Sequence, residues 1–169
     1  MEAKKSFSLS NYDPSWPVIF RQERKIILSI LPKKIDVHIV HIGSTAVEGA
    51  VSRPIIDIAI GVMNPLDLIT IRDSLSTNGY LFSSKGSSIN HFVMGKRVDG
   101  VIKFIIHIVK YNGTIYRQMA NLVKTLKNNY SLIKEYNDLK IRLHNEKASL
   151  KEYSRQKRYF EKIYFTKYS

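Results

Sequence analysis

Apolar residues recur at helical spacing near the start of the chain and at strand spacing after it. A first helix is predicted between Pro14 and Pro32, because one face collects Trp16, Phe20, Ile27 and Leu31. The run VHIVHI at 37–42 alternates apolar residues with histidines and predicts a strand with one covered face. The run IIDIAIGV at 55–62 is almost continuously apolar and predicts a central strand buried on both faces.

The pattern after this strand predicts one helix, three strands and a helical remainder. The helix covers 65–78, and short strands follow at 80–82, 91–94 and 101–109, with Lys96 and Arg97 placed in a turn. From about 114 to 166 the apolar residues keep helical spacing, and Ser149 with Glu152 forms a candidate capping box for the last helix. The predicted fold class is therefore α/β (α+β), with a C-terminal helical segment.

Composition narrows the class of protein. A chain of 169 residues with 44% hydrophobic content has the size of one domain, and we assign 1–169 to it. Cysteine is absent, which excludes disulfides, thiolate nucleophiles and cysteine metal sites. Neither a signal peptide nor a membrane-spanning run is present in the sequence, so we expect a cytoplasmic protein with no membrane partner.

The positive charge lies mostly in the last third of the chain. The formal net charge is +13, and residues 110–169 hold fourteen basic against five acidic residues. A basic surface of this kind attracts polyanions, so nucleic acid is a candidate partner, while a solvated helical surface explains the same lysines without any partner.

The residues that can carry chemistry are concentrated between 41 and 57. A strand that ends in Gly43-Ser44 lets the backbone approach a phosphate, with Ser44 and Thr45 as hydroxyl donors. Asp57 stands inside an apolar strand, where an ionised carboxylate costs several kcal/mol unless it is paired or used. It either holds Mg²⁺ at a phosphate site or pairs structurally with a basic residue such as Arg53.

These residues carry a family resemblance. HIGSTAVEG at 41–49 and RPIIDI at 53–58 resemble the HIGSTSVPG and KPIID motifs of the bacterial GrpB family (UPF0157), and YDPSWPVIF at 12–20 resembles its N-terminal segment. HFVMG at 91–95, FIIHIV at 104–109 and the helical tail extend the similarity over nearly the whole chain.

The resemblance implies a nucleotidyltransferase-like mixed sheet flanked by helices. It implies nucleotide phosphates at the Gly43-Ser44 turn, a carboxylate such as Asp57 on the metal ion, and a link to coenzyme A biosynthesis enzymes. From residue chemistry we add Thr45 and Arg53 as ligands of a nucleoside triphosphate. His107 is either a supporting Mg²⁺ ligand or catalytic base beside Asp57, or an ordinary core histidine. Ala59 stands where the nucleotidyltransferase pattern has a second carboxylate, and Ile105 replaces the family's first histidine on the later strand. Nucleotidyl transfer is therefore one hypothesis, and a catalytically degenerate module that binds RNA or a protein partner is the other.

Overall fold

The computed structural model describes residues 7–168, and residues 1–6 and 169 of the predicted domain lie outside it. Two strands lie between the first two helices, and three consecutive strands then lead into three helices. The elements are α1 (Trp16–Ile30), β1 (Val37–Ile42), a 3₁₀ helix (Ser44–Ala46), β2 (Ile56–Val62), α2 (Asp67–Ser76), β3 (Leu81–Ser88), β4 (His91–Val98), β5 (Val101–Lys110), α3 (Thr114–Lys127), α4 (Tyr130–Asn145) and α5 (Leu150–Tyr168).

The strands form one mixed sheet in the order β1-β2-β5-β4-β3. Strand β2 is antiparallel to β1 and parallel to β5, while β3, β4 and β5 form an antiparallel meander. The parallel pair places Asp57 beside Ile105 and Ala59 beside His107. Each of these residues comes from the middle of the sheet, so their positions are fixed by hydrogen bonding on both sides.

Helices cover the two faces of the sheet unequally. Helices α1 and α2 bury one face through an apolar cluster that includes Ile27, Ile58, Ile71 and Ile106. Helices α3, α4 and α5 pack on the other face around Ala59, Val109 and Leu126. This second layer reaches the β1, β2 and β5 side of the sheet and leaves the β4 side of the same face partly exposed.

The predicted fold class is confirmed, and each predicted helix and strand occurs, although β3 and β4 extend six and four residues past their predicted ends. The turn predicted at Lys96 and Arg97 was wrong, because both residues lie in β4 and the turn is reduced to Asp99 and Gly100. Pairing with β5 continues through these polar residues, and the ammonium of Lys96 finds a carboxylate partner in Glu23.

The start of the last helix is capped partly as the sequence predicts. The Ser149 hydroxyl accepts a hydrogen bond from the backbone N–H of Glu152 at 3.2 Å, while the Glu152 carboxylate turns to Arg155 instead of completing the box. Among the described helices, none is both long enough and apolar enough to cross a membrane.

Candidate functional site

One part of the sheet remains accessible on the side of α3, α4 and α5. The side chains there alternate with fully buried ones and are only partly buried themselves. We call this region the open sheet face and define it by Asp57, Val93, Gly95, Ile105 and His107. Asp57 lies at its β2 edge, as the second residue of that strand.

The turn after β1 lies against the Asp57 carboxylate. Ile42, the last residue of β1, is paired with Asp57, and Gly43 follows with φ at 71°. A Cβ at Gly43 would stand 2.5 Å from Oδ2 of Asp57. Glycine is therefore required here both by the backbone conformation and by the closeness of the carboxylate.

The Asp57 carboxylate has no ion-pair partner within the described part of the chain. Burial raises the pKa of Asp57 to about 6, while the positive charges of Lys157 and Arg53 oppose this rise and the charge of Glu161 adds to it. The structural hypothesis of an Asp57–Arg53 ion pair is therefore not supported by the geometry. A partly buried, unpaired carboxylate at an open face is typical of a functional site.

Two cations reach this end of the sheet from different elements. The Arg53 guanidinium lies 6.0 Å from the Tyr153 ring centroid, and the Lys157 ammonium lies 5.6 Å from the same centroid. Arg53 comes from the loop before β2, and Lys157 comes from the second turn of α5. The sequence singles out Arg53 but gives no indication of Lys157, because nothing in the pattern predicts that α5 returns to this loop.

Ser44 and Thr45 have different surroundings. The Thr45 hydroxyl lies 3.0 Å from Nε2 of His41 and donates to the Ile55 carbonyl at 3.4 Å, so it holds the loop ends together. The Ser44 side chain faces the hydroxyl of Tyr136, which donates to Glu161 at 2.7 Å. Ser44 is thus linked to the same group of α4 and α5 side chains as Asp57.

Helix α4 fixes the loop between the turn and Arg53. The Asn137 side chain accepts a hydrogen bond from the Val51 N–H and donates to the Gly49 carbonyl, both at 2.8 Å. The buried Lys140 amino group donates to the Val51 carbonyl. The spacing of Asn137 and Lys140 puts both on one helix face, and no local sequence signal identifies the loop as their partner.

His107 is engaged with a second histidine. Its Nδ1 lies 2.9 Å from Nε2 of His91, and the two rings stack with centroids 5.1 Å apart. Burial and the neighbouring His91 lower the pKa of His107 to about 4, so the ring is neutral at physiological pH. His107 pairs with Ala59, two pair positions along the strands from Asp57 and Ile105, which places it on the same face as Asp57.

The residues around Asp57 do not fit a divalent-metal site of the two-carboxylate type. Ala59 is fully buried within the apolar cluster beneath α3 and α4, and Ile105 is the residue paired with Asp57. No group of three His, Cys, Asp or Glu side chains among residues 7–168 is arranged to hold a metal ion. Beyond Asp57, the residues of the open sheet face supply no carboxylate oxygen, so a bound Mg²⁺ would take its remaining ligands from water and phosphate.

A cleft of about 350 Å³ lies elsewhere, between the β1 edge and the end of α3. Its lining combines apolar strand residues with His41, Lys124 and Lys127. The cleft shares none of its lining residues with the open sheet face.

Comparison with known proteins gives a family and a fold. The family model described as GrpB protein matches residues 6–166. A UPF0157 protein of Halalkalibacterium halodurans is 33% identical over 115 residues, which are 59% of this chain and 58% of that protein. The glutamate-rich protein GrpB of Alkalihalophilus pseudofirmus is 29% identical over 136 residues, which are 78% of each chain.

Solved structures extend the comparison. The conserved protein GrpB from Enterococcus faecalis superposes with a TM-score of 0.80 at 21% identity, covering 95% of this chain and 99% of that one. A cytoplasmic RNA terminal U-transferase and the Cid1 poly(U) polymerase with MgGTP each give a TM-score of 0.51, at 15% and 14% identity. The alignments cover 80% and 75% of this chain but only 40% and 42% of those proteins. At these identities the likeness shows a shared nucleotidyltransferase-like fold.

Proposed function

Because this chain belongs to the GrpB family and has a nucleotidyltransferase-like fold, we propose that it binds a nucleotide on the open sheet face beside Asp57. The observation that carries the proposal is the unpaired Asp57 carboxylate, which lies against the Gly43 backbone with Arg53 and Lys157 near it. The phosphates lie towards the two cations, and Asp57 accepts a hydrogen bond from a ligand hydroxyl.

A nucleotide suits this combination of groups. It brings anionic phosphates together with sugar hydroxyls that donate hydrogen bonds, and the site offers cations together with one carboxylate acceptor. Family relatives and neighbours of the same fold make this class of ligand the first to test. The proposal is restricted to binding, because the buried Ala59 leaves the face without the second carboxylate that nucleotidyl transfer would require.

The test is a thermal-shift screen against the four ribonucleoside triphosphates and coenzyme A precursors, each with and without Mg²⁺. A ligand that binds only the native state raises the melting temperature. We expect at least one nucleotide to stabilise the wild-type protein and not the Asp57→Asn variant. The exposed Asp36→Asn variant removes the same charge and should respond like wild type.

The Asp57→Asn variant should also be more stable than wild type in the absence of ligand. Burial raises the pKa of Asp57 from 3.8 to about 6, so above pH 6 the folded protein carries the cost of a desolvated charge. We expect a gain of about 1 to 3 kcal/mol at pH 7.5, which decreases as the pH falls from 6 to 4. A stability loss at pH 7.5, measured by urea denaturation, would assign Asp57 a structural role instead.

The alternative function is polyanion binding through the basic last third. The observation in its favour is a set of exposed basic residues on α3 and α5, namely Lys124, Lys127, Lys151, Arg155 and Arg158. Binding through several phosphates weakens steeply as salt rises. A filter-binding assay with mixed RNA and DNA between 50 and 300 mM salt distinguishes the two functions. Weak nucleic-acid binding that changes little with salt would exclude the alternative.

A further inference from the structure

We propose that the phosphate groups at this site are held by Arg53 and Lys157 in place of a divalent metal ion. The inference rests on the proposed nucleotide-binding function and specifies which side chains bind the anion. It concerns residues of a loop and of α5 that come together only in the folded chain.

The basic side chains near the site differ in whether they have N–H donors to spare. Lys140 is fully buried and donates to the Val51 carbonyl, so it is unavailable to a ligand. Arg53 takes part in none of the ion pairs of the described residues, and the Lys157 ammonium has a single carboxylate at 4.0 Å, that of Glu161. Arg53 and Lys157 thus retain hydrogen-bonding capacity.

Arg53 and Lys157 are both held in place by one aromatic ring. Each lies over the Tyr153 ring, at 6.0 Å for the guanidinium and 5.6 Å for the ammonium, and the Lys157 side chain keeps 26% of its surface exposed. Contact with an aromatic ring orients a cation and leaves its N–H groups available for an anion. The planar Arg53 fork can bind two phosphate oxygens, and Lys157 adds a compact charge.

Within residues 7–168, no group of three His, Asp or Glu side chains is arranged to hold a metal ion. Two residues after Asp57, β2 has the buried Ala59. On β5, the residue paired with Asp57 is Ile105. The negative charge of the phosphates must nevertheless be balanced when a nucleotide binds here. The side chains of Arg53 and Lys157 supply the positive charge that balances it.

Glu161 is the internal counter-ion of this arrangement. Its carboxylate accepts from the Tyr136 hydroxyl at 2.7 Å and lies 4.0 Å from Lys157. A phosphate that approaches Lys157 competes with this carboxylate. Replacing Glu161 by glutamine keeps an acceptor for Tyr136 and removes the competing charge, so the variant should bind the anion more tightly.

The experiment is calorimetric titration of the full chain with ATP and, separately, with inorganic triphosphate, each in excess Mg²⁺ and in EDTA. We expect the ATP affinity in EDTA to remain within about threefold of that in Mg²⁺. Lys157→Met and Arg53→Met should each weaken binding at least tenfold, and Glu161→Gln should strengthen it. Lys151→Met, an exposed substitution on the same helix as Lys157, should leave binding unchanged. Melting temperatures verify that each variant is folded.

The outcomes separate this inference from the function on which it rests. ATP binding that requires Mg²⁺ and is unaffected by Lys157→Met would overturn the inference and leave the nucleotide-binding function standing. Failure of the wild-type protein to bind ATP, the other ribonucleoside triphosphates or triphosphate in either condition would overturn both.

Discussion

At the scale of single residues, the contact between Gly43 and Asp57 determines how the turn meets the carboxylate. Gly43→Ala places a methyl group 2.5 Å from Oδ2 of Asp57 and requires a non-glycine residue at φ 71°. Gly49→Ala is a matched control, because Gly49 has φ at 80° with no atom within 4 Å of the added carbon. We expect Gly49→Ala to cost about 1 to 2 kcal/mol of unfolding free energy.

Gly43→Ala should cost about 1 to 3 kcal/mol more than the control, because the carboxylate must also move. Urea denaturation at pH 7.5 gives both values. Equal costs for the two variants would mean that the turn accommodates the methyl group without displacing Asp57, and the close approach would then have no energetic consequence.

The sequence identifies only half of the residues at the site. Asp57 is conspicuous because a carboxylate interrupts an apolar strand, and Gly43 because it ends one. Lys157 and Glu161 lie about a hundred residues later, in a helix whose many charged residues look alike in the sequence. Which of them faces the sheet depends on the packing of α5 against α3 and α4, and no local pattern encodes that packing.

At the scale of elements, a buried polar network joins α1 to the sheet. Glu23, on the buried face of α1, accepts hydrogen bonds from the Tyr80 hydroxyl at 2.5 Å and from the Lys96 ammonium at 2.8 and 3.0 Å. The Glu23 side chain is 4% exposed, so the loss of its partner leaves a charge without compensation.

A double-mutant cycle tests this network. The single variants Glu23→Met and Lys96→Met should each lower the unfolding free energy by about 3 kcal/mol. The double variant should lower it by clearly less than the sum of the two single losses. The exposed pair Lys134 and Asp138, at 3.0 Å, is the control, with an expected coupling of at most about 0.5 kcal/mol. A coupling as small as that of the control would show that Glu23 and Lys96 contribute independently.

Element types could be predicted from the sequence better than element lengths. Hydrophobic periodicity gives every helix and strand that the structure describes, but β3 continues to Ser88 through serine and glycine residues that resemble a loop. Strand β4 likewise continues through Lys96 and Arg97. Pairing with a neighbouring strand decides these lengths, and pairing is a tertiary property.

At the scale of the whole molecule, the strand order is the feature that the sequence leaves undetermined. Short connections favour the antiparallel meander of β3, β4 and β5, which the structure contains. The parallel pairing of β2 with β5 joins strands more than forty residues apart and brings Asp57 and His107 onto one face. The family resemblance, rather than periodicity, supplies this expectation before the structure is known.

Global stability should depend on pH through one buried lysine of α4, Lys140. Burial lowers the pKa of Lys140 from 10.5 to about 6, with a further contribution from the nearby positive charge of Lys157. Between pH 6 and 10.5, Lys140 therefore carries a proton in the unfolded chain and none in the folded chain. Stability therefore rises with pH across this window and levels off below pH 6 and above pH 10.5.

From pH 7 to 9, a range that excludes the ordinary titrations of carboxylates and tyrosines, we expect the unfolding free energy to rise by up to about 1.4 kcal/mol per pH unit from this residue. Lys140→Met should abolish that slope, and it should raise stability most at pH 7, where the amine of the unfolded chain is fully protonated. The exposed Lys151→Met variant should keep the wild-type slope. Urea denaturation at half-unit pH steps measures all three proteins, and parallel slopes for wild type and Lys140→Met would mean that the buried amine remains charged in the folded state.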